Sequence, residues 1–390
     1  KRAHEIDNLW MPPMHPYGTS FLAAALRNDG MPAKPLPKET LETFELAKRY
    51  CRGTECVPLP STIGAFLNVL NNSKNPNREA FFMPTAKGPC RFGQYNTLQR
   101  MILSEAGYKD VHIESWDDGS GNFGLKPKTS LNVYNAILAA DLMYKARCRI
   151  RPYAKDLESF DTTMDKQISK MISVIETGGN VKTTLTEISR ELKAIPTNDV
   201  KKPLVGIVGE IYVRLNPYTN GELVKTIEAA GGEAWTAPLS EWFQYLTFID
   251  KALAKDRGRS LIERLKKRIK NSYMLRQDRI LTGCVDSILS DRQEPSIMST
   301  VNAGERIFPR HFDGESILTI GRAIEFAEQG VDLIANCAPF GCMPGTLTSG
   351  IFQKLEGTMG VPVVSLFFDG ETDLSHLVRT YLDNLKAKKG

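Results

Sequence analysis

Seven cysteines are spread over 390 residues, and three of them share one setting. Cys90 ends "FFMPTAKGPC" and opens "RFGQYNTL"; Cys342 ends "LIANCAPFGC" and opens "MPGTLTSG"; Cys56 stands just before "VPLPSTIGAFL". For Cys90 and Cys342 the order reads strand, Pro/Gly turn, cysteine, helix. Cys56 shares the turn and the following helix, with a less clear strand before it. A thiol in this place faces the free N–H groups of a helix N-terminus, which favour an anion. The setting suits a thiolate and a metal cluster whose sulfurs carry negative charge. N–H groups aimed at cluster sulfurs also raise its reduction potential.

The other four cysteines read differently. Cys148, inside the helical "YKARCRI", and Cys284, in "LTGCVDS", read as small core hydrophobes. Cys51 sits at a helix end in "RYCRGTEC" and leans the same way. Cys337 ends a buried strand and is open between a core residue, a fourth ligand and a group that supports the ligands. The spacing fits neither a zinc ribbon nor the ferredoxin run. Ligands reaching from Cys56 to Cys342 require a site assembled by the tertiary fold, between lobes. A site of this kind also needs polar partners and a proton source. The loops that follow strands offer His15 in "PPMHPYG", Glu210, Tyr212, Arg214, Asn216 and Asn220 in "GEIYVRLNPYTN", and Asp369, Glu371 and Asp373 in "FFDGETD". His15 and Glu210 are the candidates for acid–base work. Loop polarity and helix capping are the competing account of all of them.

The elements that must hold these residues follow from punctuation and period. "EIDNLW" reads as a strand, "TSFLAAALRNDG" as a helix closed by Gly30, and "STIGAFLNVLNN" as a helix capped by Ser61 or Thr62. A Gly-Pro turn at 88–89 precedes Cys90, and "NVYNAILAADLMYKARCRIRPY" is a buried helix ending before Pro152. Residues 160–194 form an amphipathic connector. Strands alternating with helices return from residue 203 onward. The fold class is therefore α/β, with two lobes of parallel, Rossmann-like sheets. The boundaries fall at 1–150 for the first lobe, 151–202 for the helical connector and 203–390 for the second lobe. No short internal repeat appears, and the lobes look only loosely alike.

Composition narrows the function. Apolar residues make up 42% and charged residues 24%, ordinary for a globular protein, with a formal charge of +5. The basic run "KDRGRSLIERLKKRIKNSYMLRQDR" (255–279) reads as a solvated helix face, or as a docking face for an acidic partner or a phosphate-bearing ligand. No nucleic-acid-binding module is visible, and no apolar run approaches the ~18 residues of a membrane helix. No secretory signal appears, and unpaired thiols fit a reducing, cytoplasmic setting.

The motifs "GTECVPLPSTIGAFL", "GPCRFGQY", "GEIYVRLNPYTNGELV" and "APFGCMPGT", with "WMPPMHPYG" and "VPVVSLFFDGETD", cover most of the chain. In them the sequence resembles the activase-associated iron–sulfur proteins related to 2-hydroxyacyl-CoA dehydratase subunits and double-cubane cluster proteins. The resemblance implies a cluster that receives low-potential electrons from an ATP-hydrolysing activase and performs or relays a difficult reduction. It carries the motif cysteines onto Cys56, Cys90 and Cys342, with Cys337 as the residue that would complete a fourth position. A single [4Fe–4S] cubane is expected first. The fused [8Fe–9S] double cubane needs about six thiolates, and Cys148 and Cys284 lack suitable loops. The activase would be a separate chain or a domain preceding Lys1 in the native polypeptide, with further copies or subunits in the assembly. A 2-hydroxyacyl-CoA dehydratase subunit and a non-catalytic cluster-carrying scaffold are the alternatives.

Overall fold

The computed structural model describes residues 6–86, 90–115, 125–252, 260–312 and 314–389. The expected turn at 88–89 and the first five residues of the basic run lie outside these.

The chain forms two four-stranded sheets, parallel throughout. The first contains β1 (Asn8–Met11), β2 (Ala33–Pro35), β3 (Glu79–Phe82) and β4 (His112–Glu114) in the order β2-β1-β3-β4. The second contains β5 (Leu204–Gly209), β6 (Glu233–Thr236), β7 (Leu333–Pro339) and β8 (Val363–Phe368) in the order β6-β5-β7-β8. Both lobes thus follow one plan, first and third strands central, which their sequences do not advertise. All residues of β3, β5 and β7 are buried. That explains the continuous apolar runs: helices cover both faces of each sheet, so no polar alternation is needed.

Several helix ends differ from expectation for local reasons. The helix Pro58–Asn72 starts three residues before Ser61, with Pro58 at its first position, where a missing N–H costs nothing. Ser61 and Thr62 lie inside it; Ser61 donates to Glu39 and Thr62 to the Pro58 carbonyl. The connector is two helices, Leu157–Glu176 and Val181–Lys193, separated by Gly178 and Gly179, and the second is capped by the Asn180 side chain. The basic run lies in the helix Leu261–Gly283. Its outward face carries Ile262, Leu265 and Ile269 at 69%, 57% and 63% exposure, more apolar than a solvated face should be.

Buried polar contacts fasten the lobes. The Glu39 carboxylate, on the first lobe, accepts hydrogen bonds from Ser61 (2.9 Å) and, across the boundary, from Tyr212 (2.8 Å) and Asn216 (2.9 Å). Asn216 also donates to the Pro13 carbonyl at 2.6 Å. Burial pushes the Glu39 carboxyl above the usual range, against the pull of those donors. Glu39→Ala strands three buried donors. A loss of about 2 kcal/mol is expected from their desolvation, read as a lower urea midpoint at unchanged slope; Glu39→Gln, which keeps an acceptor, should recover most of it.

Candidate metal centre

The two central strands of each sheet mark the point where strand order reverses, and loops leaving their carboxyl ends line the crevice of such sheets. Cys90 follows β3 and Cys342 follows β7, the third strand of each lobe. Each stands immediately before a helical segment, Arg91–Gln94 for Cys90 and Met343–Met359 for Cys342, in extended backbone (φ −72°, ψ 133° and φ −68°, ψ 126°). The Cys342 sulfur accepts from the Gly345 N–H at 3.4 Å, and the Phe92 N–H serves Cys90 in the same way. Gly345 is required there: a Cβ on it would lie 2.4 Å from the Ala338 Cβ and crowd Cys342. Cys56 lies two residues before the helix Pro58–Asn72. Its sulfur accepts from Arg91 Nη2 at 3.1 Å and is hydrogen-bonded by the Tyr95 hydroxyl.

The three thiols, far apart in sequence, share one electrostatic environment. A charge on Cys56 acts on both Cys90 and Cys342, and Glu210 and Glu315 act on both as well. Burial pushes the Cys90 thiol up to about 11, opposed by the Phe92 N–H and reinforced by the two carboxylates. Burial, Glu210 and Glu315 push Cys342 up also, against the Gly345 N–H. Cys342 and Cys56 are buried, while Cys90 is exposed. A bare thiolate is therefore disfavoured at the buried Cys342, and less so at the exposed Cys90, and a cation beside them would be welcome. Among the described residues, no three His, Cys, Asp or Glu side chains converge on a single metal ion.

Glu210 caps the helix Ile211–Leu215, accepting from the Tyr212 and Val213 N–H groups at 3.1 and 2.8 Å. Gly209 makes the turn into it with φ +115°, a conformation reserved for glycine, pressed against the Cys337 backbone. Glu315, which the sequence did not single out, precedes the helix Ser316–Glu328 and accepts from the Ile211 N–H. Its Oε1 is buried without a partner. Burial holds both carboxyls above their usual range, Glu315 the further, and Glu210 raises it again as a like charge. In sequence, "DGES" before an apolar helix looks like an ordinary helix start; only the fold sets it beside Glu210.

The remaining candidates are held elsewhere. Cys337 belongs to the face of the second sheet covered by the helices Leu223–Ala229 and Ser375–Lys389, whereas the helix that Cys342 heads covers the other face. The charged groups acting on Cys337 are Arg214 and Glu210. His15 Nδ1 accepts from the Gly18 and Tyr17 N–H groups (2.8 and 3.1 Å), so its proton is on Nε2, 3.3 Å from Asp141 Oδ1. That distance comes without good alignment, and the contact is an electrostatic tie. Asp141 in turn caps the helix Ser240–Ala252 through the Leu239 and Ser240 N–H groups. His15 thus has a structural task. Arg214 donates to the Gly209 and Pro238 carbonyls, and Asn220 to the Val213 carbonyl. Asp369 and Asp373 accept from backbone N–H groups of their own loop, and Glu371 pairs with Lys48 across the lobes. Cys148 is buried in its helix, Cys51 packs against the first-lobe core, and Cys284 donates to the Ile280 carbonyl.

The raised carboxyls fix a sign. Glu39, Glu210 and Glu315 bind protons more tightly folded than unfolded, so the stability they carry is complete below the ordinary carboxylate value of 4.5 and is lost as pH rises above it. The metal-free chain should unfold at lower urea at pH 8 than at pH 5.5. Glu210→Gln with Glu315→Gln should flatten that slope.

No protein-family model matches the chain, and no curated protein matches it.

Proposed function

We propose that the chain is an iron–sulfur protein that accepts low-potential electrons from an ATP-driven activase and performs or relays a reduction. The observation that carries this reading is the convergence of Cys56, Cys90 and Cys342, from three loops and two lobes, on one shared environment. The donor set fits a cubane: three thiols, each with an N–H donor on its sulfur, two of which, Cys90 and Cys342, lie above the usual thiol range and would be kept deprotonated by a cation beside them. Cys56, Cys90 and Cys342 would hold a [4Fe–4S] cluster with one iron lacking a protein ligand, and the cluster would supply one-electron reduction when bound.

The chain's own groups do the rest. The N–H groups of Gly345, Phe92 and Arg91 stabilise negative charge on the sulfurs. Glu210 and Glu315, their carboxyls raised by burial, lie beside the site and would be the groups to supply a proton to a reduction there. The buried, partnerless Oε1 of Glu315 is the atom suited to that transfer. Cys51, Cys148 and Cys284 sit in packed or helical positions, which favours one cubane over a double cubane.

The test is anaerobic reconstitution followed by iron and sulfide analysis and EPR of the reduced protein. About four irons per chain and a reduced-cluster signal are expected. A chain that takes up no iron overturns the reading.

A further inference from the structure

Arg91 touches every loop that carries one of the three thiols. It follows Cys90 directly. Its Nη1 donates to the Thr54 carbonyl at 2.9 Å, and its Nη2 to the Cys56 sulfur at 3.1 Å and to the Gly341 carbonyl at 2.8 Å. Thr54 and Cys56 lie in the loop before the helix Pro58–Asn72; Gly341 lies in the turn between β7 and Cys342, on the other lobe. One exposed side chain therefore joins the Cys56 loop, the Cys90 turn and the Cys342 turn across the lobe boundary. The ties through Glu39 and through Asn216 run through other loops. A guanidinium suits this because its planar fork offers several donors in fixed directions; an ammonium has the charge without the fork.

We propose that Arg91 is a positioning residue with two separable tasks: it clamps the three thiol-bearing loops in register, and it places a charged donor on the Cys56 sulfur. The second task rests on the iron–sulfur reading; the first belongs to the chain with or without a metal. The clamp adds to the turns' own hydrogen bonds, which include the Phe340 N–H to the Phe368 carbonyl at 2.8 Å and the Thr85 hydroxyl to the Gly93 carbonyl at 3.0 Å. The Cys342 N–H donates to the Pro339 carbonyl at 3.1 Å and the Gly93 N–H to the Cys90 carbonyl at 3.3 Å, and each is the internal bond of a short turn. Without Arg91 these turns have less to hold them against opening.

The experiment compares Arg91→Gln and Arg91→Lys with the wild type in the full chain. Hydrogen exchange of the metal-free protein reads the clamp at the Cys342 and Gly93 amides. Both variants should exchange about tenfold faster or more, as expected for losing hydrogen bonds from a charged donor. Far-UV circular dichroism should match the wild type, since Arg91 is exposed. The midpoint potential of the reconstituted protein reads the charge. Arg91→Gln should move it to more negative values, because a cation and donor beside a cluster sulfur favour the added electron; Arg91→Lys should stay near the wild type. A loop packing role alone would move exchange in both variants and leave the potential alike in the two. Wild-type exchange in both variants overturns the clamp, whatever the iron content. An unmoved potential in Arg91→Gln overturns the charge role. A wild type that binds no iron removes the charge role together with the iron–sulfur reading, and the exchange result still decides the clamp.

Discussion

Cys90→Ala and Cys342→Ala, each reconstituted anaerobically beside the wild type, are expected to lose nearly all bound iron and sulfide. Each thiol is one of three protein ligands in the proposed cubane, and two thiolates leave too few anchors to hold it. Cys342→Ala also removes the acceptor of the Gly345 N–H, at a helix start shaped around that sulfur. Its apoprotein should lose only about 1 kcal/mol, as for a missing helix cap, so metal loss and unfolding are separable. Cys56→Ala should lose iron as well and leave Arg91 with its two carbonyl partners. Cys337→Ala and Cys284→Ala are the controls. Cys337 packs on the opposite face of its sheet from the helix that Cys342 heads, and Cys284 donates to a carbonyl of its own helix. Both should keep about four irons per chain. Loss of iron on Cys337→Ala alone, with its fold intact, would make it the fourth ligand and replace an open cluster by a closed, electron-carrying one. Retention of iron by Cys90→Ala would sink the three-thiol site.

What the sequence could tell about this site depended on how far apart the cooperating residues lie. The placing of Cys90 and Cys342 just before helical segments was legible because the signal is local: strand, Gly/Pro turn, cysteine and helix start lie within about a dozen residues. The parallel sheets were legible for the same reason, since a strand buried on both faces writes itself as one apolar run. Cys337 was not resolvable this way. In a strand such as "LIANCAP" both faces are apolar, so the alternation that would assign Leu333, Ala335 and Cys337 to one face leaves no trace in residue type. Glu315 was invisible because its partner Glu210 is a hundred residues earlier and its own surroundings look like any helix start. His15 drew attention as a histidine after a strand and among prolines; that its ring serves as a backbone acceptor at a helix N-terminus is set by the fold and not announced by residue type. The shared strand order of the lobes was hidden because their connections differ in length, one helix or several filling the same crossover.

Arg322→Met should be the most destabilising single change outside the thiol loops, by about 3–5 kcal/mol, the range for removing one partner of a buried ion pair. Arg322 is 2% exposed and lies in the helix Ser316–Glu328, two turns after Glu315. Its guanidinium donates to Glu241 at 2.7 and 3.0 Å and to Glu294 at 2.7 Å, with Glu325 at 3.7 Å. Glu294 is also held by Lys145 and by the Trp235 N–H. Methionine fills the space of the side-chain stem but leaves the buried Glu241 and Glu325 and the half-buried Glu294 facing one lysine. Part of the cost should return when Glu241 is neutralised too: Arg322→Met with Glu241→Gln is expected to be more stable than Arg322→Met alone, because the two changes touch one network and are not additive. Arg322→Lys should fall between, keeping charge and losing the fork. The consequence reaches the proposed site, since this network fixes the helix whose first residue follows Glu315. At a temperature where Arg322→Met is still folded, its Glu315 carboxyl should be less firmly placed beside Glu210, and iron should leave faster under a chelator than from the wild type. Urea unfolding within 1 kcal/mol of the wild type would show that the network carries little net stability; wild-type iron retention alongside the expected destabilisation would show that the helix start is held by its own contacts.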